Sequence, residues 1–200
     1  MVYSKSTPDE RFAQSRAKAD PLWSGSQPGA TNSFVFITDT HVFHKNISRL
    51  AKLNAALAGD SFLLVGGDLT QNGASEDISA YRDWCSTLPI PVYSAIGNHD
   101  LYFDGWDHIG PVLGQSSFTL AIGKDLRVII LDSGNATLGK AQFRWLESVL
   151  ATAREGCIVV VSHYPFFSTG FSEINYTDSE DSAALIRLFD RHKVRLVLSG

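Results

Sequence analysis

Five side chains with metal-binding atoms fall at the ends of four apolar runs. Asp39 and His41 follow Phe34-Val35-Phe36-Ile37, and Asp68 follows Phe62-Leu63-Leu64-Val65 and two glycines. Asn98 follows the run Pro91 to Ile96 and Gly97, and His163 follows Cys157 to Val161. All offer oxygen or imidazole and none a thiolate, a donor set that suits a pair of octahedral first-row or similar divalent ions, with one carboxylate able to bridge them. Beyond Asn98 stand His99 and Asp100. An imidazole can exchange a proton near neutral pH, and the adjacent carboxylate can orient it through the second ring nitrogen. Gly97 lets the backbone turn sharply, while Gly66 and Gly67 strip side chains from the approach to Asp68. Each residue also has an ordinary reading, because strand-end Asp commonly caps a helix or forms a turn and a single His is commonly just hydrogen-bonded. Four such coincidences in a row are hard to assign to capping. His44, His108 and His192 lack this placement and read as surface or loop histidines.

The elements that must position these residues alternate. The four apolar runs, with Val194 to Leu198 as a further one, are short and continuous, as strands buried on both faces are. Between them, Ile47 to Ala58 reads as an amphipathic helix with Leu50, Leu53, Ala56 and Leu57 inward and Gly59 as its C-cap. Further helices are expected from about Ser75 to Thr87, from Lys140 to Ala153 and from about Asp178 to His192. This rhythm argues for βαβ units and an α/β fold. Ser117 to Ala121 and Arg127 to Leu131 flank Gly123-Lys124-Asp125 and suit an antiparallel hairpin. Leu101 to Ser116 shows no clear period and reads as a functional loop or lid. Tyr102, Phe103, Trp106, Phe166 and Phe167 lie after the Asn98 and His163 strand ends, so they are expected to rim one mouth, where an aromatic could stack on a base or other flat leaving group.

Two hundred residues, 44% of them hydrophobic, suffice for one good-sized domain. Residues 1–31, rich in Ser, Ala, Asp, Lys and Gln with Pro8, Pro21 and Pro28, read as an extended or partly helical lead-in, pinned by Leu22 and Trp23. The formal net charge is −4 and no Lys/Arg cluster appears, which counts against extended nucleic acid as a partner. Cys85 and Cys157 are expected to fill core positions rather than pair. With no h-region and no run as long as a membrane span, the visible chain reads as soluble and is expected in the cytoplasm.

Asp39-x-His41, Gly67-Asp68, Gly97-Asn98-His99-Asp100 and His163, in that order, resemble the signature of the calcineurin-like metallophosphoesterases, across nearly everything from residue 34 onward. The resemblance implies an αββα four-layer sandwich of two mixed β-sheets flanked by helices, over residues 32–200, with the metal site at the strand C-terminal ends. It further implies that Asp39, His41 and Asp68 hold a first metal and that Asp68, Asn98 and His163 hold a second, with Asp68 as the bridge. His99 would stabilise or protonate the leaving oxygen, and Asp100 would support its orientation. Mixed oxygen and imidazole donors suit Mn, Fe, Zn and Co alike.

Within that family, the segment after Asp68 lacks the Asp-Arg-Gly of protein Ser/Thr phosphatases, and Ile96 rather than Arg precedes Gly97. Gln71 stands where purple acid phosphatases place a metal-bound Tyr. What remains is similar to the class III cyclic-nucleotide phosphodiesterases: Asp68-Leu69-Thr70 with Gly73, Pro91-Val92-Tyr93, and Leu131-Asp132-Ser133 ahead of the Gln142 to Leu146 helix. The expected function is metal-dependent hydrolysis of a small phosphoester, such as a cyclic nucleotide; a nuclease, or a non-catalytic interaction domain on the same fold, are the alternatives. The family's Gly-His-x-His turn, the last ligand source for each metal, would begin where the sequence reads Leu198-Ser199-Gly200. With five ligands intact, the expectation is a chain that continues naturally past Gly200 rather than a degenerate member.

Overall fold

A computed structural model describes residues 5–16, 33–43, 47–57, 62–123, 125–153, 156–166 and 175–200. Leu22, Trp23, His44, Gly59 and Phe167, singled out above, lie outside the described residues.

Three parallel strands, β1 (Val35–Ile37), β2 (Leu63–Val65) and β3 (Val92–Ser94), form the first sheet in that order. The second sheet runs β4 (Phe118–Ile122), β5 (Leu126–Ile130), β6 (Cys157–Ser162) and β7 (Leu196–Ser199). Its β4 and β5 are the expected antiparallel hairpin, and its other pairs are parallel. Only this second sheet is therefore mixed among the described residues.

Alternation along each strand builds the layers. Leu63, Val65 and Val92 face a cluster with Ile78, Tyr81 and Trp84 of α3 (Ser75–Ser86) and Ile109 of α4 (Trp106–Leu113). Phe62, Leu64 and Tyr93 face the other way, into an apolar layer shared with Val128, Ile130, Val159 and Val161 of the second sheet. Ile129, Ile158 and Val160 then pack outward on Leu146 and Leu150 of α5 (Lys140–Thr152) and Leu185 and Leu188 of α6 (Ser179–Arg191). The result is helices, sheet, sheet, helices. Because both faces of the central strands are covered, their sequences carry no polar alternation.

Several local expectations are corrected. Residues Ile47–Lys52 form a 3₁₀ helix that leads into the short α2 (Leu53–Ala56). At three residues per turn, Ile47, Leu50 and Leu53 line up inward; in α2 the spacing becomes four, so Leu57 is buried and Ala56 is left exposed. The stretch after Leu101 is not a lid without secondary structure: a 3₁₀ segment, His99–Asp104, kinked at the non-helical Tyr102 and Phe103, runs into α4, whose Trp106, Ile109, Gly110 and Leu113 are buried at helical spacing. Gly110 and Pro111 disguise that helix in the sequence. A Cβ at Gly110 would meet the Trp106 indole at 2.9 Å, so the glycine makes room for that ring. Cys157 is exposed rather than core, since it opens β6 beside the hairpin turn, where its N–H donates to the Asp125 carbonyl.

The lead-in also holds a packed helix, α1 (Pro8–Arg16). A capping box starts it: the Thr7 N–H donates to Glu10 Oε2 at 2.8 Å, and the Glu10 N–H donates to Thr7 Oγ1 at 3.2 Å. Those bonds hold the Glu10 carboxyl below its usual range. Pro8 occupies the first helical position, which suits its missing N–H. The helix buries Arg11, Phe12 and Ser15 against the body instead of trailing from it.

Candidate metal centre

The strand ends of the first sheet continue as paired loops. The Asp39 N–H donates to the Gly67 carbonyl, His41 to Asp68 and Val42 to Leu69, so the loop after β1 runs alongside the loop after β2. Asp39, His41 and Asp68 each sit at positive φ (53°, 41° and 50°). Asp39 and His41 therefore do not continue the extended backbone of β1. Left-handed backbone costs a non-glycine residue roughly 1–2 kcal/mol, and such strain persists where surrounding structure over-determines it. Part of that surrounding is Arg49, whose guanidinium donates to the carbonyls of Thr40 and His41.

The donors converge on Asp68, which is buried. Its Oδ2 lies 3.7 Å from His41 Nε2 and 3.9 Å from His99 Nε2, and its Oδ1 lies 3.4 Å from His163 Nε2. Asp39 Oδ1 is 3.5 Å from His41 Nε2, and Asn98 Oδ1 is 3.1 Å from His163 Nε2. Two groups with ligand atoms all within 4.8 Å of one another result, one of His41, Asp68 and His99 and one of Asp39, Asp68 and His163. Asp68 belongs to both, through different oxygens. Gly97 makes this approach possible, since a Cβ there would fall on Asp68 Oδ1. Gly67, at φ +106°, instead clears His163.

The protons show what the cluster lacks. His163 Nδ1 lies 3.1 Å from the Gly66 carbonyl, which can only accept, so Nδ1 carries the proton and Nε2 presents a lone pair to two oxygens. Burial pushes the His163 pKa down, away from the cationic form that would relieve that crowding. Burial likewise pushes the Asp68 carboxyl up. His41 Nδ1 is buried with no hydrogen-bond partner among the described residues. Imidazole lone pairs gathered around a carboxyl whose charge burial disfavours fit a cation, which would supply the missing positive charge.

His99 is placed differently from the expectation. Its Nδ1 donates to the Gln71 carbonyl at 2.8 Å, and its ring lies 4.4 Å from that of His41 and 4.7 Å from that of Tyr102. Asp100 does not orient it. The Asp100 carboxylate instead accepts from the N–H groups of Leu69, Thr70 and Gly97 and from Thr70 Oγ1, which ties the Asp68 loop to the Asn98 loop. Full burial, with Asp68 nearby, pushes Asp100 up to about 6.

Of the expected aromatic rim, Tyr102 is half-buried, and its hydroxyl accepts from Asn98 Nδ2 at 2.8 Å, which turns the Asn98 carbonyl oxygen toward His163. Phe103 is 67% exposed. Trp106 is buried in the α3/α4 cluster and donates to Gln14, and Phe166 is buried against Tyr176 and Phe189; neither lines a mouth. Both aromatic side chains are too apolar to leave beside a helix layer that has room for them. His108 is exposed and His192 half-buried, both away from these groups. The roles of Gln71, Tyr102 and Arg49 in holding the site have no signature in spacing, because each acts through a backbone carbonyl or a neighbour's amide.

Comparison with known proteins places this geometry. The family model described as calcineurin-like phosphoesterase matches residues 33–200. The chain belongs to that family. Among curated relatives of this calcineurin-like phosphoesterase, a "3',5'-cyclic-nucleotide phosphodiesterase" of Nostoc is 27% identical over 172 residues, 82% of this chain and 62% of the relative. A "Probable cyclic nucleotide phosphodiesterase" of Synechococcus is 27% identical over 146 residues, 69% of this chain and 56% of the relative. The chain thus spans a little over half the length of these relatives. In fold, it is similar to the solved structure of PhoD, with a TM-score of 0.56 and 14% identity over 92% of this chain and 52% of that one. The phosphoesterase family implies divalent metal ions, and the two donor groups around Asp68 are where this chain could hold them.

Proposed function

We propose that this chain carries a dinuclear metal centre that hydrolyses small phosphodiesters, with cyclic nucleotides as the leading substrate class. The observation that carries this reading is the sharing of Asp68: one carboxylate faces two donor groups through its two oxygens. By the family resemblance, Asp39, His41 and Asp68 would hold one ion, and Asp68, Asn98 and His163 the other, drawn from Mn, Fe, Zn or Co, whereas by distance Asp39 groups with Asp68 and His163, and His41 with Asp68 and His99. Such ions, when bound, neutralise charge on the phosphoryl oxygens and lower the pKa of water. His99 points Nε2 toward the same space while its Nδ1–H stays on Gln71, so a proton gained at Nε2 is the one it can pass to a leaving oxygen. Tyr102 fixes the Asn98 amide and packs on His99, and Asp100 holds the two loops in register. The relatives named for cyclic nucleotides support that substrate class. The low positive charge speaks for a small substrate over nucleic acid. Of the expected rim, Tyr102 and Phe103 are the described aromatics left to contact a base or aryl group.

Elemental analysis of the purified protein beside a panel of cyclic AMP, cyclic GMP, an aryl phosphodiester and single-stranded DNA tests the reading. Close to two equivalents of transition metal and turnover of a small diester are expected. A metal-free protein, inert on the whole panel after Mn²⁺ is added, would instead favour a non-catalytic interaction domain.

A further inference from the structure

Outside the metal centre, α1 precedes the residues that match the family model yet buries a full guanidinium. Arg11 is 0% exposed. Its Nε and Nη2 donate to the two oxygens of Asp132 at 2.7 and 2.9 Å, Nη2 also reaches Asn135 Oδ1 at 2.6 Å, and Nη1 donates to the Ser6 carbonyl at 2.7 Å. Buried ion pairs seldom stabilise a fold better than packed apolar residues would, and in some proteins what they supply is a fixed geometry.

What this pair fixes lies in the next two residues. Ser133 Oγ accepts from Ser162 Oγ at 3.0 Å and from the Tyr164 N–H at 3.1 Å, the residues on either side of His163. Gly134, whose N–H donates to Asp132 Oδ1 at 3.3 Å, lies so close to the Asn98 loop that a Cβ there would meet the Gly97 carbonyl at 3.0 Å. Asp132, Ser133 and Gly134 therefore hold Arg11, brace His163 and back Gly97 in succession. Asp39 and His41 are held from the other side, by Arg49 and the Gly67–Leu69 carbonyls.

We propose that Arg11 is a positioning residue for the half of the centre built from Asn98 and His163: α1 latches Asp132, and through Ser133 and Gly134 sets where those two side chains stand. The role as metal ligands rests on the function proposed above; the placement itself does not. The first test is therefore metal-free. In ¹⁵N-labelled full-length protein with chelator, the His163 Nδ1–H and the Asn98 side-chain amide should give resolved signals. In Arg11→Met both should shift or broaden while the His41 ring signals stay in place. Because Arg11→Met strands the buried Asp132 charge, Arg11→Met combined with Asp132→Asn serves as the second variant and should show the same selective change. Signals of His163 and Asn98 that match the parent in a folded variant would overturn the proposal, as would changes spread equally to His41. The second readout is Zn²⁺ titration, in which one binding step should weaken about 10–100-fold, as loss of a residue that orients ligands does, and the other should hold. Equal affinities in parent and variant would count against the latch, whereas a parent that binds no Zn²⁺ would overturn the dinuclear reading and leave the metal-free result to judge the latch.

Discussion

At the scale of single residues, the centre depends on which atoms carry protons. Asp68→Asn replaces a carboxylate that faces both donor groups by a neutral amide that cannot compensate two dications. Loss of both metal equivalents and of hydrolysis is expected, read by elemental analysis; unchanged metal content would remove Asp68 as the bridge. His99→Asn should keep the metals but lower turnover by roughly two to four powers of ten, the usual contribution of a positioned acid. Since His99 Nε2 stands about as far from Asp68 as His41 Nε2 does, metal loss in that variant would make it a ligand instead. Tyr102→Phe removes the acceptor that turns the Asn98 amide, and a free amide can present nitrogen to the site. Mn²⁺ affinity should drop by about 10–100-fold, without loss of fold by circular dichroism.

At the scale of elements, the site sits where loops after β1, β2, β3 and β6 meet, and each loop is held by bonds to another. Asp100 joins the second and third loops through three hydrogen bonds and holds its own loop through a fourth, from Gly97, which explains its burial better than any contact with the reacting groups. The segment after it packs as a kinked 3₁₀ segment and α4 against the α3 cluster. Trp106 anchors α4 into the cluster around α3 and reaches Gln14 next to it in space. Trp106→Ala should therefore cost about 3–5 kcal/mol of stability in chemical denaturation. The ratio of activities on a cyclic nucleotide and an aryl phosphodiester should stay as in the parent; a change in that ratio would return Trp106 to the substrate rim.

At the scale of the whole molecule, α1 reaches the second helix layer as well as the site. Asp9 accepts from the N–H groups of Lys140 at 3.2 Å and Ala141 at 2.7 Å, so α1 supplies the N-terminal cap that Gly139 cannot give α5. Gly139 is needed there, because a Cβ would meet Asp9 Oδ1 at 2.6 Å. Asp9→Ala should cost about 0.5–2 kcal/mol, as loss of a helix cap does, and lower the thermal midpoint of the full chain while leaving metal content as in the parent. A midpoint that does not move would mean that α1 rests on α5 without supporting it. Arg16 over the rings of Phe12 and Trp145 completes the contact between the two helices.

The strands and the five donors after them were legible in the sequence, and the reason is local. A strand covered on both faces must be apolar throughout, so its end, where polar residues begin, is written in consecutive residues such as Val65 to Asp68. The capping box at Thr7 and Glu10, by contrast, is hidden among prolines and charges that read as a lead-in. Orientation was not legible. Whether Asp100 faces His99 or the amides of Leu69 and Thr70, and whether Asn98 turns oxygen or nitrogen inward, depends on partners brought in from other loops. The pairing of Arg11 with Asp132 spans 121 residues and leaves no pattern in either neighbourhood. Strand type follows from what each residue must hide from water, which the chain states along its length; hydrogen-bond partners follow from which distant loops the two stacked sheets bring together, and only the folded chain decides that.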